Sequence, residues 1–374
     1  MRLWLPRRPV IALATVVLLS AALFAQPAKS VSDRDPSVLA RLTDDARVGL
    51  DVPGLSAAIA SGESIVWAEG FGSADLEQNV AVRPETVFRI ASISKPITAT
   101  AVMQLVERGL VSIEDPIQRY VPGFPRKPQG EIRLRHLLSH TSGIRHYRGD
   151  EFGLNDYYPT VDRALAVFQN DPLEFAPGER YSYSTYGYNL LAGVVEAASG
   201  RTFDDYLRAN IFEPAGMTST FLERPQEIVQ YRARQYVRGS SPMIWLNAPY
   251  VDLSVKWAGG GMISTASDLL RFDLALNAGR LLRHDTQDRM YTPTRLNSGA
   301  TTAYGLGWMV SQDGGRIKVA HSGGAMGGTT YLLRDPKARV ASVVLANLDN
   351  VPRLRDLADQ LMTLAPRTPA SSTR

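Results

Sequence analysis

The chain has no cysteine among its 374 residues, which excludes disulfides, thiolate metal sites and a lipid-bearing N-terminal cysteine. Oxidising and reducing compartments would suit it equally. Lysine is also scarce: Lys29, Lys95, Lys127, Lys256, Lys318 and Lys337 are the whole set. A lysine set in apolar sequence therefore asks for a reason. Internal repeats are absent, and low complexity is confined to the termini.

An uncharged run at 10–25 follows Arg2, Arg7 and Arg8 and ends in small residues before Gln26-Pro27. That is the layout of a secretory signal. Residues 1–25 are expected to be a signal peptide and the protein to be secreted or periplasmic. The run is short of the roughly 20 residues of a membrane span, and an uncleaved anchor is the alternative. Losing 1–25 removes those three arginines and no acid, which lowers the formal charge from +4 to +1. Neither nucleic acid nor an anionic membrane surface is then implied as a partner.

With 44% hydrophobic residues the rest is long enough for one large or two ordinary domains. A polar linker at 26–40 precedes a short amphipathic helix in "RLTDDARVGL". Two apolar runs then meet at Gly62 and Glu63, as in a β-hairpin. Helical patterns cover 97–109, 160–169, 190–199, 203–211 and 266–277. Strand signals return in "AYGLGWMVSQDGGRIKVAHSGG" and "GGTTYLLRDPKARVASVVLAN", the second with a turn at Asp335-Pro336. The helix "RLRDLADQLMTL" and a disordered tail at 367–374 close the chain. Strands at both ends with helices between them predict an α+β fold. Its antiparallel sheet draws on the N- and C-terminal segments of a 41–366 domain, with flanking helices and an inserted helical lobe.

The stretch "IASISKP" carries the sharpest chemical signal. Residues three apart share a helix face, so Ser92 can meet Lys95 while Ser94 cannot. Proline is tolerated in a helix only in its first turn, so Pro96 places the helix start close to Ser92. Lys95 is the one lysine with a serine three places before it, and "VFRIA" and "ITATAVMQL" around it are apolar. A buried lysine can lose its proton and serve a serine as base. A second polar group to share that proton could come from Tyr181, Tyr183, Tyr186 or Tyr188, expected on a loop entering a helix at 190. In "VAHSGGAMGGTTYLL", His321 and Ser322 precede Gly323 and Gly324, and glycine in a strand suits close approach by a substrate. The other histidines of "LRHLLSHTSGIRH" are expected in packing and turns.

"SISK", "YST" and "HSG", in that order, resemble the Ser-x-x-Lys, Tyr-x-Asn and Lys/His-x-Gly motifs of the serine beta-lactamase and penicillin-binding superfamily. "RHLLSHTSGI", "PGERYSYSTYGYNLLAGVVE" and "YVDLSVKWAGGGMISTASDLLRF" resemble its class C beta-lactamase-like branch of D-alanyl-D-alanine carboxypeptidases and esterases. The "YST" form and "YVD…KWAGGG" look most like the serine beta-lactamase-like proteins of mitochondria and their bacterial relatives.

The resemblance implies a beta-lactamase/transpeptidase-like fold and a serine hydrolase cleaving an amide or ester of a small-molecule or peptide substrate, without cofactor or metal. It implies Ser92 as nucleophile, Lys95 as its base partner, Tyr183 as the group exchanging the proton with the leaving atom, and the N–H groups of Ser92 and Gly324 as oxyanion hole. His321, Thr185, Ser322 and Gly323 complete the implied site. Thr185 stands where asparagine is usual, and His321 where lysine is usual. Slow beta-lactam turnover is therefore expected. His321 would either bind a substrate carboxylate when protonated or orient Tyr183 when neutral, the second being favoured. A slowly acylated penicillin-binding receptor and a filament-forming protein are the competing readings.

Overall fold

The computed structural model describes residues 36–241 and 244–365. The expected signal at 1–25 and tail at 367–374 lie outside the described residues. The expected linker at 26–40 ends early: Pro36, with its fixed φ and missing N–H, opens helix α1 (Pro36–Gly49), whose Leu39 and Thr43 are buried.

A seven-stranded sheet is built from β1 (Gly54–Ser61), β2 (Ser64–Asp75) and β3 (Val80–Ala81) near the start of the chain. Near its end come β4 (Met309–Asp313), β5 (Arg316–Ala325), β6 (Gly328–Asp335) and β7 (Val340–Ala346). Their order is β3-β2-β1-β7-β6-β5-β4. The two ends of the chain join where β1 runs antiparallel to β7, from Leu55 opposite Ala346 to Ser61 opposite Val340. The turn at Gly62, with φ +67°, connects β1 to β2 where the sequence places it.

β1 reads "GLSAAIAS" without alternation because it is buried along its whole length and both sheet faces are covered. Leu55, Ala57 and Ile59 pack in one core with Leu39, Val344, Leu357 and Leu361. Ala58 and Ala60 belong to the other, with Val343, Leu345 and the helical lobe. That lobe is inserted between β3 and β4. It contains α2 (Ser94–Glu107), α3 (Leu134–Leu138), α4 (Thr185–Ser199), α5 (Trp257–Gly260) and α6 (Ala266–Asn277), and α7 (Leu354–Leu364) closes the chain.

Helix α6 occupies the expected 266–277. Its Thr265 side chain accepts from Asp268 N, which caps it. The 160–169 helix shrinks to Val161–Leu165, and 203–211 splits into Phe203–Leu207 and a π-helical turn at Arg208–Phe212. Helix α4 starts five residues before the expected 190, because Ser184 caps it by accepting from Gly187 N. Among the described residues, no helix is long and apolar enough to cross a membrane.

Arg334 of β6, with 0% side-chain exposure, staples α6 to the sheet: Nε pairs with Asp273, Nη2 donates to Asn277 Oδ1 at 3.0 Å and Nη1 to Tyr291 Oη at 2.5 Å. Removing one partner of a buried pair leaves the other charge uncompensated. Asp273→Ala should therefore cost ~3–5 kcal/mol in urea unfolding, while Asp273→Leu combined with Arg334→Met should recover most of that loss. Equal losses in both variants would assign the effect to packing instead.

Candidate active site

A strained turn presents the serine. Ala91 has φ +49°, a left-handed conformation that costs a non-glycine residue about 1 kcal/mol or more. It opens a 3-10 turn, Ala91–Ile93, that runs directly into α2. Pro96 lies in the first turn of α2, where no N–H is needed. Ser94 is fully buried: its Oγ donates to Ala91 O at 2.7 Å and accepts from Met262 N at 3.3 Å. Ser92 stays partly exposed. From the sheet side, Thr330 Oγ1 donates to Ile90 O at 3.0 Å. Gly323 makes that approach feasible, since a Cβ there would come within 2.5 Å of Ile90 O and 2.2 Å of Thr330 Oγ1.

Lys95 is fully buried, and its three polar partners are neutral. Nζ lies 2.5 Å from Gly259 O, 3.1 Å from Ser92 Oγ and 3.2 Å from Thr185 Oγ1. It also sits over the Tyr183 ring, 4.6 Å from its centroid. Burial first, and then the charge of Lys256, hold its pKa well below the usual lysine value. The hydrogen bonds suit a neutral amine, which has two N–H donors and one lone pair. A carbonyl only accepts, so Gly259 O takes one N–H. The Thr185 hydroxyl oxygen, 3.2 Å away, can accept the second. The lone pair is then free to take the proton of Ser92.

Thr185, expected against substrate, is only 2% exposed, and its hydroxyl is engaged by Lys95. Burial first keeps the Tyr183 phenol pKa well above its ordinary value, with neighbouring Ser92 acting the other way. Tyr181 and Tyr183 precede α4, while Tyr186 and Tyr188 lie on it and are buried, which corrects the expected loop.

Sequence reasoning assigned His140 to packing and turns, yet it clamps Tyr183 from both sides. Its carbonyl accepts from Ser182 N at 2.9 Å, its Nδ1 accepts from Ser184 N at 3.2 Å, and its ring stands 4.2 Å from the Tyr183 ring. Nothing local distinguishes it from His136 or His146. Only the pairing with 182–184 does so.

His321 is 2% exposed, and both its nitrogens are engaged. The Ser322 carbonyl, 2.7 Å from Nδ1, can only accept, so Nδ1 carries the hydrogen. Nε2 then accepts from Tyr304 Oη at 2.9 Å. Burial, then Lys95, lower its pKa to about 3. The expected hydrogen bond to Tyr183 is not formed: the two rings stand 6.2 Å apart and Tyr304 takes the contact. A protonated His321 facing a carboxylate is likewise disfavoured by this burial.

Ser322 and Gly324 are exposed on the same strand, and around Gly324 the space is open. β4 pairs with β5 only as far as Ala320. The Met326-Gly327 turn closes on Ala325 opposite Gly328, a pair that exchanges ladder bonds in two-residue hairpins. Alternation turns the N–H of Gly324 and the carbonyl of Ser322 away from β6, towards the edge β4 leaves uncovered.

The chain is similar to proteins of one family. A family model described as Beta-lactamase matches residues 39–366. The serine beta-lactamase-like protein LACTB, mitochondrial, of Homo sapiens is 32% identical over 400 residues, covering 82% of this chain and 72% of its own. Penicillin-binding protein 4* of Bacillus subtilis (strain 168) is 35% identical over 305 residues, covering 77% of this chain and 66% of its own. The structure of D-amino acid amidase from Ochrobactrum anthropi SV3 complexed with L-phenylalanine matches with a TM-score of 0.76 at 25% identity, over 87% of this chain and 98% of that one.

Burial lowers the pKa of His136 and His321 to about 3 and holds His140 well below 6.5. The unfolded chain takes up these protons below about pH 6.5 and the folded one does not, so stability is full above that pH and lost as pH falls towards 3. Three such groups give a slope of up to ~4 kcal/mol per pH unit below pH 6. The urea midpoint should therefore drop steadily from pH 6.5 to 4.5. A flat midpoint there would show that the histidines titrate within the fold.

Proposed function

The chain belongs to the beta-lactamase family as a serine hydrolase, and from that premise we propose that it cleaves amides or esters through an acyl-enzyme on Ser92. The observation that carries this reading is Ser92 Oγ lying 3.1 Å from the amine of a buried lysine with neutral partners. In the first step Ser92 Oγ attacks the substrate carbonyl while its proton passes to Lys95 Nζ. The N–H groups of Ser92 and Gly324 receive the developing oxyanion. Tyr183 passes a proton to the leaving nitrogen or oxygen. Water then attacks the acyl-enzyme by the reverse route, releasing the acid and restoring the Ser92 hydroxyl.

Thr185 supplies one half of what an amide side chain would offer there, accepting from Lys95. It has no N–H for a substrate's acyl group. His321 offers a substrate no charge. Both features favour uncharged amides or esters over beta-lactams, and the likeness to a D-amino acid amidase supports the amide class. The basic-then-apolar start of the sequence adds a secreted or periplasmic location to the proposal.

A fluorophosphonate should label the native protein at Ser92, with labelling abolished in Ser92→Ala and largely kept in Ser94→Ala, read by intact mass. Lys95→Arg should lose at least ~100-fold in labelling rate, as Lys95→Ala does, because guanidinium keeps its proton. Substantial activity in Lys95→Arg would reduce Lys95 to an electrostatic group. Nitrocefin turnover should be slow beside the best neutral ester, and comparable rates would refute the role given to Thr185.

A further inference from the structure

Besides Lys95, a second lysine is buried in the lobe, and the acyl-enzyme scheme does not use it. Lys256 is 3% exposed and immediately precedes α5. Its Nζ donates to Phe152 O at 2.9 Å and lies over the rings of Phe152, at 4.6 Å, and Tyr147, at 5.0 Å. Two short routes lead from it to Lys95. One is the backbone of 256–259, ending in the Gly259 carbonyl that accepts from Lys95. The other passes by Tyr147, whose ring lies 5.0 Å from Lys256 Nζ and whose pKa is influenced by Thr185, the neighbour of Lys95.

The two amines have different surroundings. Lys256 has a carbonyl and two aromatic faces; burial first, and then Arg89, lower its pKa to about 8, while Glu223, paired with Arg89, works the other way. Lys95 feels no carboxylate, only Lys256. The other groups facing this cluster add little positive charge: His140, His146 and His321 have lowered pKa values and are neutral near pH 7, and Glu151 is paired with Arg145. Two buried ammoniums in one cluster repel each other, and of the two only Lys95 has a serine proton within reach.

Resting on the acyl-enzyme reading, we propose that Lys256 is a positioning residue of the reaction. Its ammonium, fixed by the Phe152 carbonyl and the rings of Phe152 and Tyr147, makes Lys95 the lysine that accepts the serine proton. The sign follows from Coulomb's law. A neighbouring positive charge disfavours protonated Lys95, so removing it lets Lys95 hold its proton to higher pH and disables the base there. Burial and Arg89 lower the Lys256 pKa to about 8, so its charge is present along the acidic limb below that value.

The experiment follows the fluorophosphonate labelling rate, and kcat/KM for a neutral p-nitrophenyl ester, against pH from 5 to 10. Lys256→Met should move the acidic limb up by about one unit, a roughly tenfold loss on that limb that is recovered at pH 9. Lys256→Arg, which keeps the charge, should keep the native limb. An unmoved limb in Lys256→Met, or an equal shift in Lys256→Arg, would overturn the proposal. Should Lys256→Met not fold by near-ultraviolet circular dichroism, Lys256→Gln with the same readouts decides by the same criteria. Absence of labelling in the native protein would instead overturn the acyl-enzyme reading.

Discussion

The structure depends on keeping an amine buried, without a carboxylate, within hydrogen-bonding distance of a serine. Water would protonate Lys95 and a carboxylate would hold the proton on it; the fold admits neither to its polar contacts. That demand explains several local irregularities together. Ala91 adopts φ +49° so that the chain can turn from the small sheet strand Phe88–Arg89 into α2 with Ser92 at the bend. Gly259 has no side chain because a Cβ would strike Thr185 Cγ2 at 2.6 Å and Thr185 O at 2.8 Å, and its carbonyl would not reach Lys95. Gly323 removes the same obstacle on the sheet side.

The sheet supplies what the lobe cannot. Joining β1 to β7 places the C-terminal hairpin β5–β6 beside the 3-10 turn that opens at Ala91. β4 ends its pairing at Ala320, so β5 continues past it with an unpaired edge. An unpaired edge is ordinarily a hazard. Here the edge borders Ser92, and the substrate proposed for the site would complete the missing pairing.

Much of this was legible in sequence where the physics is local. The Ser92–Lys95 spacing, the proline that fixes the helix start and the glycines of β5 each report a constraint acting within a few residues. The shared sheet was legible because strand signals at both ends of a chain have few other solutions. Long-range pairing was less readable. The capping of α4 by Ser184 moved its start from 190 to 185, since a tyrosine-rich stretch hides a helix N-terminus from a hydrophobic pattern. His321 could be placed on its strand, but the Tyr304 that takes its Nε2 sits 17 residues away in irregular chain. The clamp made by His140 joins segments 44 residues apart, and no spacing rule covers it. Lys256 was visible only as one more lysine, because its meaning lies in Tyr147 and Thr185.

Thr185 and His321 are better understood together than as two separate departures from the family pattern. An amide and an ammonium at these positions would each keep a donor to spare for substrate. The hydroxyl and the neutral imidazole do not: Thr185 lies buried against Lys95, and His321 is used up between Ser322 and Tyr304. Ser322 and the open backbone at Gly324 stay exposed on β5, and Tyr181, 38% exposed, packs against His140 and Tyr304. A backbone edge recognises an extended amide or ester without regard to side-chain charge. On the proposed function, discrimination would fall to shape and aromatic contact, so that the same nucleophilic machinery could sit behind a selectivity quite unlike that of an enzyme that grips a carboxylate.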